Sequence, residues 1–325
     1  MTHSLPSVAV IGGGVIGLTS ALRLLEAGFP VTLFARALSP HTTSDIAAAF
    51  WSPSATAADT RTAQWALTSL ATLQALAADP ASGIVMTELY NLMDAPVDMP
   101  YMASGGALRA VPPGLFPTPW SGWSATVPRI DVPIYMPWLL ARVHKLGGQI
   151  QPRIFQTLQE IHPTYTLIIN CTGLGAQALT GDAVYPIRGQ VIAVRKPAGL
   201  SPAMIYANYV DNAVATTYII PRSQDCLLGG TYQYRDGNVE VDPAIAEQIL
   251  ARCAAFNPAF AQPEVLQHKV GLRPGRRAVR LEQERLASGR VIIHNYGHGA
   301  VGHTLAWGCA AEVVQLVSAA VTGGK

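Results

Sequence analysis

Six residues near the N-terminus have the spacing of a phosphate-binding turn. The run Gly12-Gly13-Gly14-Val15-Ile16-Gly17 fits the pattern G-x-G-x-x-G. In this pattern the glycines allow a tight turn, the approach of a pyrophosphate to the backbone, and close packing of a helix on a strand. The free N–H groups and the dipole of the helix N-terminus then hold the anion. The run therefore predicts a dinucleotide site.

The motif alone leaves NAD, NADP and FAD open. The second strand ends in Phe34-Ala35-Arg36, without the acid that usually binds the ribose hydroxyls. Arg36 suits either the 2′-phosphate of NADP or the adenosine part of FAD. A second G-x-G-x-x-G run, at 297–302, joins the last predicted strand to the last predicted helix. Two glycine-rich helix starts favour FAD, because the second helix dipole can stabilise negative charge on a reduced flavin.

The elements that must position these motifs form two kinds of sheet. Strands at 7–11 and 31–35 flank a helix at 15–27, which predicts a parallel βαβ unit. Evenly spaced strand candidates at 190–194, 205–209, 218–221 and 227–232 predict an antiparallel sheet. The fold class we expect is α/β, with a Rossmann-type FAD-binding domain interleaved with a substrate-binding domain built on a mixed or antiparallel sheet.

The domain boundaries follow from where these patterns change. We assign 1–80, 135–188 and 268–325 to a discontinuous FAD-binding domain, and 81–134 and 189–267 to the substrate-binding domain. Further helices are expected at 55–78, 137–146, 243–255 and 304–320, and further strands at 166–171 and 291–295. The helix at 243 has an N-terminal signal, because Asp242 can cap it and Pro243 suits its first turn.

Composition excludes several classes of protein. Of 325 residues, 50% are hydrophobic and 13% charged, with a net charge of +2, which excludes a highly charged disordered chain and argues against a nucleic-acid partner. The apolar stretch 5–22 has no basic segment before it and contains three consecutive glycines, so we expect neither a signal peptide nor a membrane span. Four widely spaced cysteines predict no metal site and free thiols in a reducing cytoplasm. The composition is compatible with a homodimer.

Taken in order along the chain, these runs resemble the D-amino acid oxidase family of FAD-dependent amine oxidoreductases. The resemblance covers nearly the whole length. The matching runs are VIGGGVIG at 10–17, TTSD at 42–45, INCTG at 169–173, IRGQ at 187–190, YIIPR at 218–222, GGTY at 229–232, VGLRP at 270–274 and HNYGHG at 294–299. Each run is short, and their specificity comes from the set.

The resemblance implies a reaction and the residues that serve it. A D-amino acid is oxidised to an imino acid by hydride transfer from its Cα to flavin N5. Electrons pass to O2 to give H2O2, and the imino acid hydrolyses to a 2-oxo acid and ammonia. The implied catalytic and substrate-binding residues are Arg273, whose guanidinium can hold a carboxylate through two parallel hydrogen bonds, and Tyr218 and Tyr232. The carbonyl of Ala300 is implied to accept from the substrate amine.

The FAD contacts are likewise implied by position in the family's motifs. They are Gly12, Gly14, Val15, Ile16, Gly17, Arg36, Thr43, Ser44, Ala48, Ala49, Ser52, Ile154, Thr172, Gly173, Arg273, Gly299, Ala300, Val301, Gly302, His303 and Thr304. His298 is expected to have a structural or flavin-contact role rather than a catalytic one.

Departures from the family pattern concern the side-chain pocket. Val214 replaces an aromatic lid residue and Ser54 replaces a tyrosine. The segment 206–217 is short for a closing lid, so whether Tyr209 enters the site is open. Tyr232 occupies the position that carries a specificity arginine in D-aspartate oxidases, and we therefore expect a neutral D-amino acid of moderate size.

Other functions remain compatible with the sequence. A glycine or sarcosine oxidase-like enzyme has the same fold, and a specialised biosynthetic oxidase would act on an unusual or carrier-bound amino acid. A non-catalytic flavin-binding protein is a third alternative, which the joint presence of Arg273, Tyr218 and Tyr232 disfavours.

Overall fold

The computed structural model describes residues 5–52, 54–55, 59–95, 108–210, 212 and 214–322. Within them, a six-stranded sheet contains β1 Val8–Ile11, β2 Val31–Ala35, β6 Gln149–Pro152, β7 Leu167–Asn170, β14 Arg280–Arg285 and β15 Val291–Tyr296, numbered along the chain. Its order is β14-β15-β7-β1-β2-β6, and only the edge strand β14 pairs antiparallel. The predicted parallel βαβ unit is confirmed.

The second sheet has nine strands in the described residues. They are β3 Ile84–Met93, β4 Arg109–Ala110, β5 Ser121–Ile130, β8 Tyr185–Val194, β9 Met204–Asn208, β10 Ala215–Pro221, β11 Cys226–Thr231, β12 Gln233–Tyr234 and β13 Val265–Gly275. The order is β12-β8-β11-β10-β9-β3-β5-β4, with β13 also on β8. The β3–β9 pair is parallel and the other pairs are antiparallel, so the sheet is mixed, as expected.

Helices cover the parallel sheet and the back of the mixed one. They are α1 Val15–Glu26, α2 Thr60–Leu76, α3 Val132–Lys145, α4 Ala176–Thr180, α5 Pro243–Phe256 and α6 Gly302–Thr322. The main hydrophobic core lies where α1, α3 and α6 meet the first sheet, and a smaller core lies between α5 and the second sheet. By length and composition α6 could cross a membrane, but half of its most apolar window is buried against neighbours that include α1 and α2.

Three predicted elements begin about five residues away from where the structure has them. Helix α2 begins at Thr60 rather than at 55, and strand β8 begins at Tyr185 rather than at 190. Helix α3 begins at Val132 rather than at 137, because Pro133 already occupies its first turn and Pro137 is accommodated inside the helix. The long strands β3, β5 and β13 were not anticipated. In the case of β13 the reason is that its first half is largely exposed and lacks a buried alternating pattern.

The domain boundaries at 188/189 and 267/268 each fall inside a strand. Strand β8 spans Tyr185–Val194, and β13 spans Val265–Gly275. These two strands pair with each other, so the segment that carries Arg273 belongs to the second sheet rather than to the first. The assignment of the remaining segments to two domains stays a prediction.

Candidate active site

The turn between β1 and α1 can be formed only by glycine at two positions. Gly12 has a φ of +122°, and a Cβ there would collide with the carbonyl oxygen of Cys171. A Cβ at Gly17 would collide with the carbonyl oxygen of Gly12, since helix and strand are in close contact. The structure therefore assigns to Gly12 and Gly17 the tight turn and the close packing that the motif requires.

The N-terminus of α1 is open to an anion. Gly14 is the cap residue, it offers no side chain, and the first turn holds no acidic residue. The nearest polar group is the hydroxyl of Ser44, which accepts a hydrogen bond from Val15 N at 3.0 Å. Backbone donors and a hydroxyl, with no carboxylate to repel a phosphate, fit the pyrophosphate of a dinucleotide.

The turn that presents Thr43 and Ser44 is held by one buried carboxylate. Asp45 accepts hydrogen bonds from the backbone N and the hydroxyl of Thr42, at 2.9 and 2.6 Å, and from the hydroxyl of Ser39 at 2.6 Å. The ring of His303 lies against the same turn, with Nε2 3.1 Å from the carbonyl oxygen of Ser44. The starts of α1 and α6 are thus joined through one short segment.

The ends of β2 and β6 form the place expected for the adenosine. Arg36 is exposed directly after β2, and Ile154 follows β6 with 55% of its surface exposed. The two strand ends are held together by a hydrogen bond from Arg153 N to the Ala35 carbonyl, at 3.0 Å. An apolar surface beside an exposed guanidinium suits a planar base and its attached sugar.

The segment that contains Ala48, Ala49 and Ser52 lies between β5 and α6 and is hydrogen-bonded to both. Ile130 N donates to the carbonyl of Ala49, and Trp51 N donates to the carbonyl of Pro128, each at 2.9 Å. Ser52 N donates to the hydroxyl of Thr304 at 3.1 Å. These hydrogen bonds fix the backbone of the segment, as the lining of a flavin site requires.

Two histidines near the start of α6 are neutral at pH 7. Burial lowers the pKa of His298 to about 3 and that of His303 to about 4, although the carbonyl of Ser44 and the charge of Asp45 act to raise the latter. Nε2 of His298 and Nδ1 of His303 are buried without a protein partner in the described residues. Unpaired ring nitrogens beside the predicted flavin position fit a polar cofactor edge.

Arg273 is prepared to bind a carboxylate. It lies on β13, and its Nη1 donates to the carbonyl of Thr231 at 3.0 Å. The guanidinium carbon lies 4.3 Å from the centre of the Tyr232 ring, and the guanidinium covers Gly189, where a Cβ would collide with it. No carboxylate in the described part of the chain pairs with this guanidinium, so its remaining donors are available to a ligand.

Three tyrosines surround Arg273, one more than the sequence indicated. Tyr218 is buried on β10, and Tyr206 on β9 is its register partner, with nearly parallel rings 6.1 Å apart. Burial raises the pKa of both above the ordinary value, and Tyr232 raises it further while Arg273 opposes the shift. Tyr206 and Tyr218 therefore stay protonated at neutral pH.

Tyr206 was missed because only strand pairing reveals it. The sequence places it in a strand of the same predicted sheet as β10 but does not give the register that sets Tyr206 opposite Tyr218. Tyr209, whose position was open, contacts other groups: its hydroxyl lies 2.7 Å from the Thr217 hydroxyl, and its ring packs edge-on against Trp120. Thr217 and Tyr218 point to opposite faces of β10, so Tyr209 is on the side away from Arg273.

The flavin loops and the Arg273 strand meet at Pro274. Gly299 N donates to the Pro274 carbonyl at 2.9 Å, and a Cβ at Gly173 would touch the Pro274 ring at 3.7 Å. Ala300 is exposed in the same loop. The structure therefore brings Thr172, Gly173 and the segment 299–304 next to the strand that carries Arg273, while Arg36 and Ile154 lie at the β2–β6 edge of the first sheet.

No metal-binding cluster of three His, Cys, Asp or Glu side chains occurs in the described residues, and all four cysteines are free and buried. Burial also raises the pKa of Cys171 to about 12 and of Cys253 to about 12, so neither thiol is a nucleophile at neutral pH.

Comparison with known proteins gives one consistent result. A family model described as "FAD dependent oxidoreductase" matches residues 7–316. The chain is 39% identical to a D-amino-acid oxidase of Rubrobacter xylanophilus and 41% identical to one of Streptomyces coelicolor, each match covering 96% of both chains. It is 33% identical to the human D-aspartate oxidase, over 97% of this chain and 95% of that protein.

The fold matches solved structures as well. Glycine oxidase from Bacillus cereus aligns with a TM-score of 0.79 at 19% identity, over 96% of this chain and 95% of that one. L-proline dehydrogenase from P. horikoshii aligns with a TM-score of 0.75 at 13% identity, over 99% and 94%. At such identities these structures establish the fold and no substrate.

Proposed function

Because the chain belongs to the DAO family of FAD-dependent oxidoreductases, we propose that it converts a neutral D-amino acid to a 2-oxo acid and ammonia. The amino acid loses two electrons and two protons as its C–N single bond becomes an imine. O2 takes up both electrons and both protons to give H2O2, and water then hydrolyses the imine. The observation that carries the proposal is the unpaired guanidinium of Arg273 among three tyrosines.

The substrate carboxylate is bound at Arg273. One edge of the guanidinium is occupied by the carbonyl of Thr231, and the other donors are available for a carboxylate. The hydroxyls of Tyr218 and Tyr232 add neutral donors at the same place. Since the site is half-buried, these hydrogen bonds compete with less water than they would at an exposed site.

The neutral surroundings of Arg273 favour a neutral substrate side chain. Tyr206 and Tyr218 carry no charge, because their pKa values are raised above 10. By the family resemblance, Tyr232 occupies the position that carries a specificity arginine in D-aspartate oxidases, so the cation that would bind an acidic side chain is replaced by a neutral residue. This argument separates the chain from its 33% identical D-aspartate oxidase relative, and agrees with the names of the two D-amino-acid oxidases that it resembles more.

The substrate amine must lose its proton without a protein carboxylate. In this proposal the carbonyl of Ala300, an exposed residue of the loop next to Pro274, accepts one N–H of the amine and so orients the Cα–H bond relative to the flavin position. Neutral His298 has the wrong pKa, about 3, to hold a proton at neutral pH. FAD, when bound, supplies the two-electron acceptor chemistry, while Arg273 and the tyrosines supply position and exclude water.

We also propose that the protein works in the cytoplasm. Four buried free thiols are compatible with a reducing cytoplasm, where they would remain unpaired. We further propose a homodimer as the working assembly, which size-exclusion chromatography with light scattering would test directly.

Anaerobic mixing with substrates tests the proposed function. The purified holoenzyme is mixed with the D- and L-forms of alanine, with D-aspartate and with glycine, and bleaching of the long-wavelength flavin band is followed. We expect rapid bleaching by D-alanine, with D-aspartate and L-alanine slower by at least about a hundredfold, the range that one misplaced charged group produces. Equal rates for D-aspartate and D-alanine contradict the neutral preference. Bleaching by glycine alone indicates a glycine oxidase-like enzyme, and no bleaching at all indicates a specialised substrate or a non-catalytic protein.

A further inference from the structure

A buried arginine lies behind the active site. Arg188, in the middle of β8, is 1% exposed. Its guanidinium donates to the side-chain oxygens of Gln233 and Gln190, at 2.6 and 2.8 Å, and to the carbonyls of Asn238 and Glu240, at 2.9 and 2.6 Å. All four acceptors are neutral amide oxygens, and no described carboxylate forms an ion pair with Arg188.

Such an arrangement is costly. Removing an ionised group from water without a counter-ion costs several kcal/mol, and neutral acceptors recover only part of that free energy. One hydrogen bond of Arg188 goes to Gln190 on its own strand and one to Gln233 on β12. The other two go to Asn238 and Glu240, in the connection between β12 and α5. The charge therefore organises this connection rather than the core.

The two faces of β8 relate Arg188 to the site. Ile187 is the register partner of Arg273, and the Arg273 guanidinium lies over Gly189, so these residues share the front face. Arg188 alternates to the back face, where its register partner on β12 is Gln233. Tyr232 directly precedes Gln233 and therefore points to the front, where its ring contacts Arg273.

Thr231, the residue before Tyr232, is also held by a hydrogen bond from β8. The backbone N of Gln190 donates to the Thr231 hydroxyl at 3.1 Å, and the Thr231 carbonyl accepts from Arg273. The side chain of Gln190 in turn bonds the backbone of Asp242 in both directions, at 2.7 and 2.9 Å. Residues on both sides of Tyr232 are thus fixed from β8.

We propose that Arg188 is a positioning residue for substrate binding: by holding Gln233 and the turn at 238–240 from the back of the sheet, it sets Tyr232 and the Thr231 carbonyl against Arg273 on the front. The proposal rests on the proposed function only in taking Arg273 as the carboxylate-binding residue. Arg188 itself touches neither substrate nor cofactor.

Carboxylate affinity is the direct test. The holoenzyme and its Arg188→Gln variant are titrated with pyruvate, the 2-oxo acid of alanine, by calorimetry, and KM and kcat for D-alanine are measured. We expect the pyruvate Kd and the KM to rise about tenfold while kcat changes less than threefold, because one or two hydrogen bonds to the carboxylate are misplaced. Arg195→Gln is the matched control, since Arg195 forms an exposed ion pair with Glu264 next to the same strand, and it should stay within twofold. An unchanged pyruvate Kd in Arg188→Gln overturns the proposal.

A double-mutant cycle shows whether Arg188 acts through Tyr232. Tyr232→Phe is made in the wild-type protein and in Arg188→Gln. If the Tyr232 hydroxyl is already displaced in Arg188→Gln, its removal adds less than twofold to the pyruvate Kd, whereas in the wild-type background it costs more. Fully additive effects mean that Arg188 does not act through Tyr232, and they overturn the proposal.

Two further comparisons keep the outcome interpretable. If Arg188→Gln does not fold, Gln233→Ala removes one of the four contacts and should raise the pyruvate Kd several-fold, and no change in that variant counts against the proposal. A wild-type protein that binds pyruvate but oxidises no D-amino acid removes the proposed function and leaves the role of Arg188 standing. A wild-type protein that does not bind pyruvate at all overturns both.

Discussion

The guanidinium of Arg273 rests entirely on neutral groups. The carbonyl of Thr231, the ring of Tyr232 and the backbone at Gly189 orient it without neutralising it. An ion pair at this place would compete with the substrate carboxylate, whereas neutral neighbours leave the charge available. Substrate binding should therefore depend most on Arg273, which carries the charge. Gly189 should matter as well, because it has no side chain and so leaves room for the guanidinium.

Replacing Arg273 by Lys should weaken substrate binding more than removing a tyrosine hydroxyl. An ammonium cannot form two parallel hydrogen bonds, and a charge-assisted hydrogen bond contributes about 1.5–3 kcal/mol, so we expect kcat/KM for D-alanine to fall about ten- to a hundredfold. For Tyr218→Phe we expect less than about tenfold, since a neutral hydrogen bond contributes about 1 kcal/mol. Steady-state kinetics of both holoenzymes check the order, and a larger loss in Tyr218→Phe would falsify it.

Gly189→Ala should displace the Arg273 guanidinium while leaving the glycine turn before α1, which holds the pyrophosphate, unchanged. The new Cβ would collide with the guanidinium, which is flexible enough to move away but then leaves Tyr232 and Thr231. We expect kcat/KM to fall at least tenfold with normal FAD content, by analogy with the loss of a positioned charged hydrogen bond. Gly237→Ala is the control, because the nearest atom to its Cβ is 3.8 Å away. Full activity of Gly189→Ala would show that Arg273 has room to bind substrate from another position.

At the scale of the elements, local chemistry made some structures predictable. The βαβ unit and α5 with its Asp242 cap could be recognised because a turn glycine, a capping carboxylate and a proline act within a few residues, and Asp242 does accept from Ala244 N and Ile245 N. Strand β13 and the contact of Tyr206 with Tyr218 could not be predicted, since the first depends on a distant strand pair and the second on the register between β9 and β10. Pairing between β8 and β13 joins residues about 80 positions apart and leaves no short-range signal.

The turn before α1 allows a prediction at this scale. Gly17→Ala should abolish FAD binding and lower stability, because its Cβ would collide with the backbone of Gly12, which cannot yield without separating α1 from β1. Gly14→Ala is the contrast in stability, since the nearest atom to its Cβ is the Ser44 hydroxyl at 3.0 Å, a side-chain atom that can rotate away. Any loss of FAD in this variant comes from the approach of the pyrophosphate and not from unfolding of the turn. FAD content and thermal unfolding of the apoproteins separate the two. Equal tolerance of both substitutions would contradict the assigned close packing.

At the scale of the whole molecule, one hydrophobic core joins the two sheets. The main core links α1, α3, α6 and strands of both sheets, so the molecule is expected to unfold largely as one unit. The buried histidines His298 and His303 make this unfolding sensitive to acid, because each is neutral when folded and can take up a proton when unfolded.

Stability should therefore fall with acid between about pH 6.5 and pH 4. The folded pKa values, about 3 and about 4, lie below the ordinary value of 6.5, so the unfolded state binds more protons in this window and stability rises with pH. Each histidine contributes a loss of about 2 kcal/mol by pH 5, at about 1.4 kcal/mol per pKa unit. Urea unfolding at several pH values measures the slope.

Single substitutions isolate the histidine contribution. His298→Asn should reduce the acid slope, while the same change at the exposed His41 should leave it as in the wild-type protein. An identical slope in His298→Asn and wild type would mean that His298 does not titrate on unfolding in this range.

The pairing of β8 with β13 also has a consequence for synthesis. Strand β8 is complete at Val194, and its partner begins only at Val265, so the ribosome must add about 70 residues before that edge is covered. At the usual 5–20 residues per second the edge of a largely buried strand stays open for several seconds. During this interval a nascent chain can pair with another through that edge, and we expect a co-expressed holdase chaperone, which covers exposed strand edges, to raise the soluble yield.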